Sequence, residues 1–218
     1  MSMNNADEGQ GFTPQNITSA SDFEQFVAGL FPMMTQEDIG RLIETYSIAP
    51  VIDGPLFSSL GDHGPTALNQ SEFGIGQQQR ANNLYAETTF VCPSYWLANA
   101  FSSKDVQVSE SNTNKKAWKY QFSVPPSEHG ADLNAYQVFN REALGLGTMT
   151  EAARKAIQLA WGRFVIYGIP SLPQSLVDSL VETANGTAIG DELYAITTAN
   201  WTEWSRATGG PRMLNVNM

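Results

Sequence analysis

Ala117–Val124 reads Ala-Trp-Lys-Tyr-Gln-Phe-Ser-Val and carries the clearest strand pattern in the chain. Bulky apolar residues alternate with polar ones along it, which is the two-residue period of a β-strand. Pro125 and Pro126 follow at once, and proline ends a strand because it has no N–H to donate to a ladder. A single strand leaves both of its edges without partners. The sequence therefore predicts an incomplete sheet that is part of a larger fold.

Helical periodicity dominates the rest of the chain. Ser21 and Glu24 form a capping-box pattern ahead of a first helix, and Thr35 caps a second helix that Pro50 stops. Further helices are predicted over 77–87, 93–101, 150–167 and 174–182, with a long irregular connection over 48–76 and short strands near the end. The predicted inner faces comprise Phe23, Phe26, Val27, Leu30, Phe31, Ile39, Leu42, Ile43 and Tyr46 in the first two helices, and Ala153, Ile157, Ala160, Trp161, Phe164 and Val165 in the helix over 150–167. The expected class is α/β, mostly helical, with one clear strand over 117–124.

Charge and hydropathy argue against two kinds of partner. The formal net charge is -10, and only 12 lysine and arginine residues are spread along the 218 residues, so we expect no nucleic-acid surface. No run approaches the roughly 20 apolar residues that span a bilayer, and residues 1–9 lack the layout of a signal peptide. Four Asn-x-Ser/Thr triplets begin at Asn16, Asn69, Asn185 and Asn200, and they would suit a secreted glycoprotein.

Few side chains can carry chemistry. Cys92 is the only cysteine, so it can form neither an internal disulfide nor a thiolate zinc site, and its apolar neighbours favour a buried, inert thiol. His63 lies in a Gly/Pro loop that is typical of a solvated residue. His129 follows the predicted strand by a short loop, at the end of a strand where reacting groups gather in α/β sheets. A turn histidine beside glycine is also common in plain structure, so the residues alone leave the role of His129 open. No metal or cofactor site is predicted.

Three segments match a known family in its own order. They are Asn5–Phe12 (Asn-Ala-Asp-Glu-Gly-Gln-Gly-Phe), Arg80–Phe101, which contains Phe-Val-Cys-Pro-Ser-Tyr-Trp-Leu-Ala over Phe90–Ala98, and Tyr120–Asp132, which ends in His-Gly-Ala-Asp. They resemble the type-B carboxylesterases, and most of all the secreted fungal members, which are relatives of cholinesterases and fungal lipases. The resemblance runs from Asn5 to the region of Trp201 and is weak after about residue 168. It implies an α/β-hydrolase fold, hydrolysis of a small-molecule or lipid-like ester, no cofactor and an extracellular location.

The resemblance also implies a Ser-Glu-His triad. Glu8 matches the family's acid before glycine, and His129 matches its catalytic histidine, so Glu8 would accept a hydrogen bond from one ring nitrogen while the other takes a serine proton. Asp7 stands where fungal relatives often have asparagine, which leaves open which carboxylate faces the ring. Cys92 matches a family cysteine that pairs with a more C-terminal one, and this sequence has no counterpart for that partner.

The third member of the triad has no match. The sequence contains neither Gly-x-Ser-x-Gly nor a His-Gly-Gly-Gly oxyanion loop. We expect residues 1–218 to be the C-terminal portion of one α/β-hydrolase domain, inactive alone and requiring an N-terminal esterase half, with apolar surface exposed where that half would pack. One alternative is a non-catalytic interaction protein on an esterase scaffold. Another is an enzyme with Ser94 or Ser127 as nucleophile, although neither lies in a strand-to-helix elbow.

Overall fold

The structure is a computed structural model, and it describes residues 1–46, 76–102, 116–124, 127–136, 151–176, 178, 201, 203–204 and 214–216. Within these ranges a three-stranded sheet has the order β1 (Ser2–Asn5), β2 (Lys119–Phe122) and β3 (Leu214–Val216). Both pairings are parallel, with Ser2 opposite Lys119 and Tyr120 opposite Leu214. The strand predicted over 117–124 is therefore the central one, with its strand residues limited to Lys119–Phe122 and a partner on each edge.

The first strand could not be recognised from its own residues. Ser-Met-Asn-Asn contains no β-branched or aromatic side chain, which are the residues enriched in strands. It forms because β2 offers a parallel edge, and the ladder continues beyond it, with the Ala6 amide donating to the Phe122 carbonyl at 2.9 Å. Tertiary pairing here overrides local propensity.

Helices make up most of the remaining described structure. They are α1 (Ala20–Leu30), α2 (Gln36–Thr45), α3 (Gly76–Ala86), α4 (Cys92–Ser102), α5 (Leu133–Tyr136) and α6 (Glu151–Tyr167), with a 3₁₀ turn at Gln10–Phe12. A π-helical stretch, Glu87–Val91, joins α3 directly to α4. None of these helices is long and apolar enough to cross a bilayer, a finding that covers the described residues alone.

The start of α1 differs from the prediction. Ser19, rather than Ser21, caps the helix: its hydroxyl accepts from the Asp22 amide at 3.1 Å, and the Asp22 carboxylate accepts from the Ser19 amide at 2.8 Å. Aspartate at the third helical position closes the box as glutamate does, so two overlapping patterns competed in the sequence. The cap at Thr35 is confirmed, and α2 ends at Thr45, ahead of the predicted stop.

The buried apolar residues form separate clusters, of which two are large. One cluster joins the sheet to α5 and α6 through Tyr120, Phe122, Val124, Ala135, Ala156, Ile157 and Val216. A second joins α1, α2 and α3 through Phe23, Val27, Ile39, Tyr46 and Leu84. Val165 was predicted on the inner side of α6 but is 77% exposed, because the last turn of α6 carries apolar residues on every side and only some can face the sheet.

Candidate functional site

The ends of β1 and β2 bring two loops side by side. Both strands run in the same direction, so their carboxyl ends lie at one edge of the sheet. The Asp7 amide donates to the Ser127 carbonyl at 2.9 Å, which pairs the loop after β1 with the loop after β2. Gly130 has a φ of +85°, a backbone conformation that glycine adopts without strain, and it turns the chain directly after His129. The loops therefore place Glu8 and His129 on neighbouring backbones.

Glu8 and His129 form a hydrogen bond. Glu8 Oε2 lies 2.6 Å from His129 Nδ1, and the side chains are 4% and 49% exposed respectively. The other carboxylate oxygen, Oε1, accepts from the Asn5 amide at 2.6 Å. The choice between the two adjacent acids is thereby settled in geometry: Glu8 faces the ring, while Asp7 contributes its backbone to the loop pairing. Both oxygens of Glu8 are engaged, so its orientation is fixed.

Aromatic rings surround the imidazole. The ring centroid of Phe90 lies 4.7 Å from that of His129, and Phe12 approaches the His129 ring edge-on at 5.0 Å. Phe12 also stacks on Tyr85 at 5.6 Å. None of these three rings was predicted as a site residue, although all three lie inside the segments that match the family. Their apolar surfaces exclude water from one side of His129, and a buried carboxylate pairs more strongly where water is excluded.

A buried lysine lies behind the site. Lys119 on β2 is fully buried, its Nζ donates to the Asn4 side-chain oxygen and to the Tyr120 carbonyl, the latter at 3.0 Å, and it lies 4.8 Å from the centroid of the Tyr95 ring. Burial lowers the pKa of Lys119 to about 7, and the negative charge of Glu8 opposes this shift. Alternating polar and apolar residues usually indicate a strand with one solvated face. Lys119 is buried nonetheless, because β2 is covered on both faces.

Lys119 is expected to make stability depend on pH. Its pKa in the folded state, about 7, lies below the value of 10.5 for the free side chain, so the unfolded chain binds more protons between these limits. The free energy of unfolding should therefore rise as pH increases above 7, by on the order of 2 kcal/mol between pH 7 and 9. Urea unfolding of the wild type and Lys119→Met at pH 6, 7, 8 and 9 measures this contribution as the difference in slope. Equal slopes in the two proteins would contradict it.

The other candidates are less suited to chemistry. Cys92 is half-buried rather than buried, and its pKa is raised first by burial and then by the charge of Glu87, which disfavours the thiolate. Ser94 Oγ donates to the Val91 carbonyl at 2.7 Å, and Ser127 Oγ is shielded from solvent. His63 lies outside the described residues. Within the described ranges, no group of three or more His, Cys, Asp or Glu residues is placed to hold a metal ion.

Comparison with known proteins identifies the architecture. No family model matches the chain, and no curated protein sequence matches it. The crystal structure of Aspergillus niger EstA, an esterase, superposes with a TM-score of 0.52 at 15% sequence identity over 78% of this chain. The chain has an esterase-like fold. It spans 30% of the length of EstA, and at this identity the likeness concerns the fold alone. In the esterase-like fold described here, the Glu8 and His129 pair lies at the carboxyl edge of a parallel sheet, where open α/β folds bind ligands.

Proposed function

We propose that this chain supplies the acid and the histidine of a Ser-Glu-His ester-hydrolase triad, with the serine provided by a polypeptide segment outside these 218 residues. The observation that carries the proposal is the 2.6 Å hydrogen bond between Glu8 Oε2 and His129 Nδ1. A carboxylate at Nδ1 holds the proton there, which leaves Nε2 as the acceptor in the neutral ring. Nε2 makes no hydrogen bond within the described part of the chain, and the half-exposed ring is accessible to a nucleophile.

The proposed chemistry divides between the two parts. His129 Nε2 would take the proton from the serine hydroxyl as the hydroxyl attacks the ester carbonyl, and would return it to the departing alcohol. Glu8 would orient the ring and stabilise the imidazolium formed in between. The oxyanion donors would come with the serine segment, since no such loop is present in this sequence. Carboxylic esters are the proposed substrate class, and an N-terminal esterase half is the proposed partner.

Exposed apolar side chains support an association with a partner. Trp96, Leu97 and Phe101 on α4 are each more than half exposed, as are Val165 and Ile166 near the end of α6. Three of these side chains lie on one helix, and contiguous exposed apolar patches typically mark surfaces that bind another protein. The same observation favours the second candidate function, a non-catalytic interaction protein that keeps an esterase scaffold. The two candidates differ in one measurable respect, namely whether His129 performs proton transfer.

The test is complementation. The purified chain is refolded with the upstream half of a related esterase, complex formation is verified by size-exclusion chromatography, and hydrolysis of p-nitrophenyl acetate and butyrate is followed. We expect hydrolysis in the complex only, with His129→Ala lowering the rate by at least about 10³-fold. His63→Ala, which changes the only other histidine, is the matched control and should leave the rate unchanged.

The other outcomes discriminate between the alternatives. Hydrolysis by the chain alone, dependent on His129, would mean that a nucleophile lies within these residues. A stable complex without hydrolysis would contradict the triad proposal and favour the interaction protein.

A further inference from the structure

Asn5 directs every polar atom of its side chain at the two loops of the candidate site. It lies at the end of β1 and is 2% exposed. Its Nδ2 lies 3.3 Å from Glu8 Oε1 and 3.0 Å from Asp132 Oδ1, and its Oδ1 accepts from the Asp132 backbone amide at 3.1 Å. The side chain therefore joins the carboxylate to the far end of the turn that carries His129.

The hydrogen bonds between Asn5 and Asp132 anchor the far end of the turn that carries His129. On the first side, the Ser127 carbonyl accepts from the Asp7 amide. On the second side, Asn5 bonds both the backbone amide and the carboxylate of Asp132, and this carboxylate also accepts from the Leu133 amide. His129 lies between these two anchors, so the position of its ring relative to Glu8 depends on both.

The contribution of the Asn5 side chain can be separated from that of its backbone. The Asn5 amide N–H donates to Glu8 Oε1 at 2.6 Å, and this bond survives any substitution of the side chain except proline. The side chain adds the link between Glu8 and Asp132. An asparagine is suited to this link because it offers two donors and an acceptor at once, whereas aspartate offers acceptors only.

We propose that Asn5 is a positioning residue that, by bonding Glu8 and Asp132 together, holds the His129 ring at hydrogen-bonding distance from the Glu8 carboxylate. The contacts above support the positioning of the His129 ring by Asn5. Any effect of Asn5 on a reaction rate rests in addition on the proposed function. The competing explanation is that Asn5 only fills the end of β1. In that case its loss would lower stability without a specific effect on His129.

The His129 ring proton provides a readout that does not need ester hydrolysis. In the chain labelled with ¹⁵N-histidine, only two imidazoles contribute signals, and His63→Gln assigns them. We expect Asn5→Ala to accelerate exchange of the Nδ1 proton with water by about fivefold or more, the factor that corresponds to one ordinary hydrogen bond. Asp132→Ala removes the same link from the other side, together with a carboxylate that interacts with His129 by charge, and should accelerate exchange at least as much. Asp132→Asn keeps an oxygen that accepts from Asn5 and should retain slow exchange.

A substitution far from the site serves as the control for a general loss of stability. Ile39→Val removes a methylene group from the separate cluster of α1, α2 and α3, so it destabilises the chain without touching this network. The proposal predicts unchanged His129 proton exchange in this variant. It is overturned if Ile39→Val accelerates exchange as much as Asn5→Ala does, or if Asn5→Ala and Asp132→Ala both leave exchange at the wild-type rate.

Kinetic measurements on the complemented enzyme test the role of Asn5 and the proposed triad separately. If the complex hydrolyses ester, Asn5→Ala should lower kcat by about 10- to 100-fold while leaving KM unchanged, because the pair that transfers the proton is displaced and not the substrate surface. An unchanged kcat would overturn the role of Asn5 while the triad stands. Accelerated exchange in a complex without hydrolysis would support Asn5 as the link and contradict the triad.

Discussion

Glu8→Gln is expected to reverse which nitrogen of the His129 ring carries the proton. In the wild type, Oε1 accepts from the Asn5 amide and Oε2 faces Nδ1. A glutamine must keep its single oxygen toward the Asn5 amide, since two donors would otherwise meet in a buried site. Its NH₂ group then faces Nδ1 and requires that nitrogen to accept. The neutral ring is left with its proton on Nε2, where a serine proton would have to arrive.

The change is measurable in the chain alone and in the complex. Two-bond ¹H–¹⁵N correlation spectra distinguish the two neutral tautomers, and we expect the variant to shift from the Nδ1–H to the Nε2–H form. In the complemented enzyme, the same substitution should lower kcat by about 10⁴-fold, the loss that follows when a triad acid becomes an amide and fixes the wrong tautomer. Glutamine is nearly the same size as glutamate, so packing around residue 8 is preserved.

A neighbouring carboxylate supplies the matched control. Glu128 precedes His129 directly, but its described contact with the other loop is a backbone bridge to Asp7. Glu128→Gln therefore removes one negative charge close to the ring without replacing its hydrogen-bond partner. We expect the wild-type tautomer in this variant. If Glu128→Gln and Glu8→Gln shift the tautomer equally, the shift is caused by the loss of a negative charge. The orienting role of Glu8 is then refuted.

The sequence predicted those parts of the site that depend on chain order. The strand over 117–124 and the turn that follows it carry enough local signal to place His129 at the end of a strand, and the matched segments pointed to Glu8 as its partner. No local signal showed that Ser-Met-Asn-Asn would be a strand, because its residues are stabilised by pairing with β2 and not by their own propensity. The distance between the two side chains follows from that pairing, so it had to come from the structure.

Lys119 and Asn5 illustrate a second limit of prediction from sequence patterns. Alternation of polar and apolar residues predicts which face of a strand meets water only if one face does meet water. β2 is buried along its whole length, so its polar residues belong to an internal network that links Lys119, Asn4, Asn5 and Glu8. Sequence patterns do not reveal such networks, because each hydrogen bond joins residues whose contact depends on the register of two strands. The ring contacts of Phe12 and Phe90 with His129 were missed because they join residues that are distant in the sequence and that only the packing of the helices brings together.

Gly9→Ala is expected to be the most destabilising single-methyl addition among the described glycines. A Cβ atom at residue 9 would lie 1.9 Å from the Asn82 carbonyl oxygen and 2.6 Å from its carbonyl carbon, both backbone atoms of α3. The cause is steric and not conformational, since Gly9 has a φ of -87°, which alanine adopts freely. A helix backbone cannot move aside as a side chain can. We expect the free energy of unfolding to fall by about 3 kcal/mol or more.

Gly11 provides the control within the same turn. A Cβ atom there meets no atom within 4 Å, so Gly11→Ala should change stability by less than about 0.5 kcal/mol. Urea unfolding followed by circular dichroism compares the two variants. Because Gly9 directly follows Glu8, any shift of the backbone that relieves the contact with α3 also moves the carboxylate away from His129, and the Nδ1 proton of Gly9→Ala should exchange rapidly even where the chain stays folded. Equal stability of the two variants would mean that α3 does not pack against residue 9. The placement of Tyr85 beside Phe12 and of Phe90 beside His129 would then need another support.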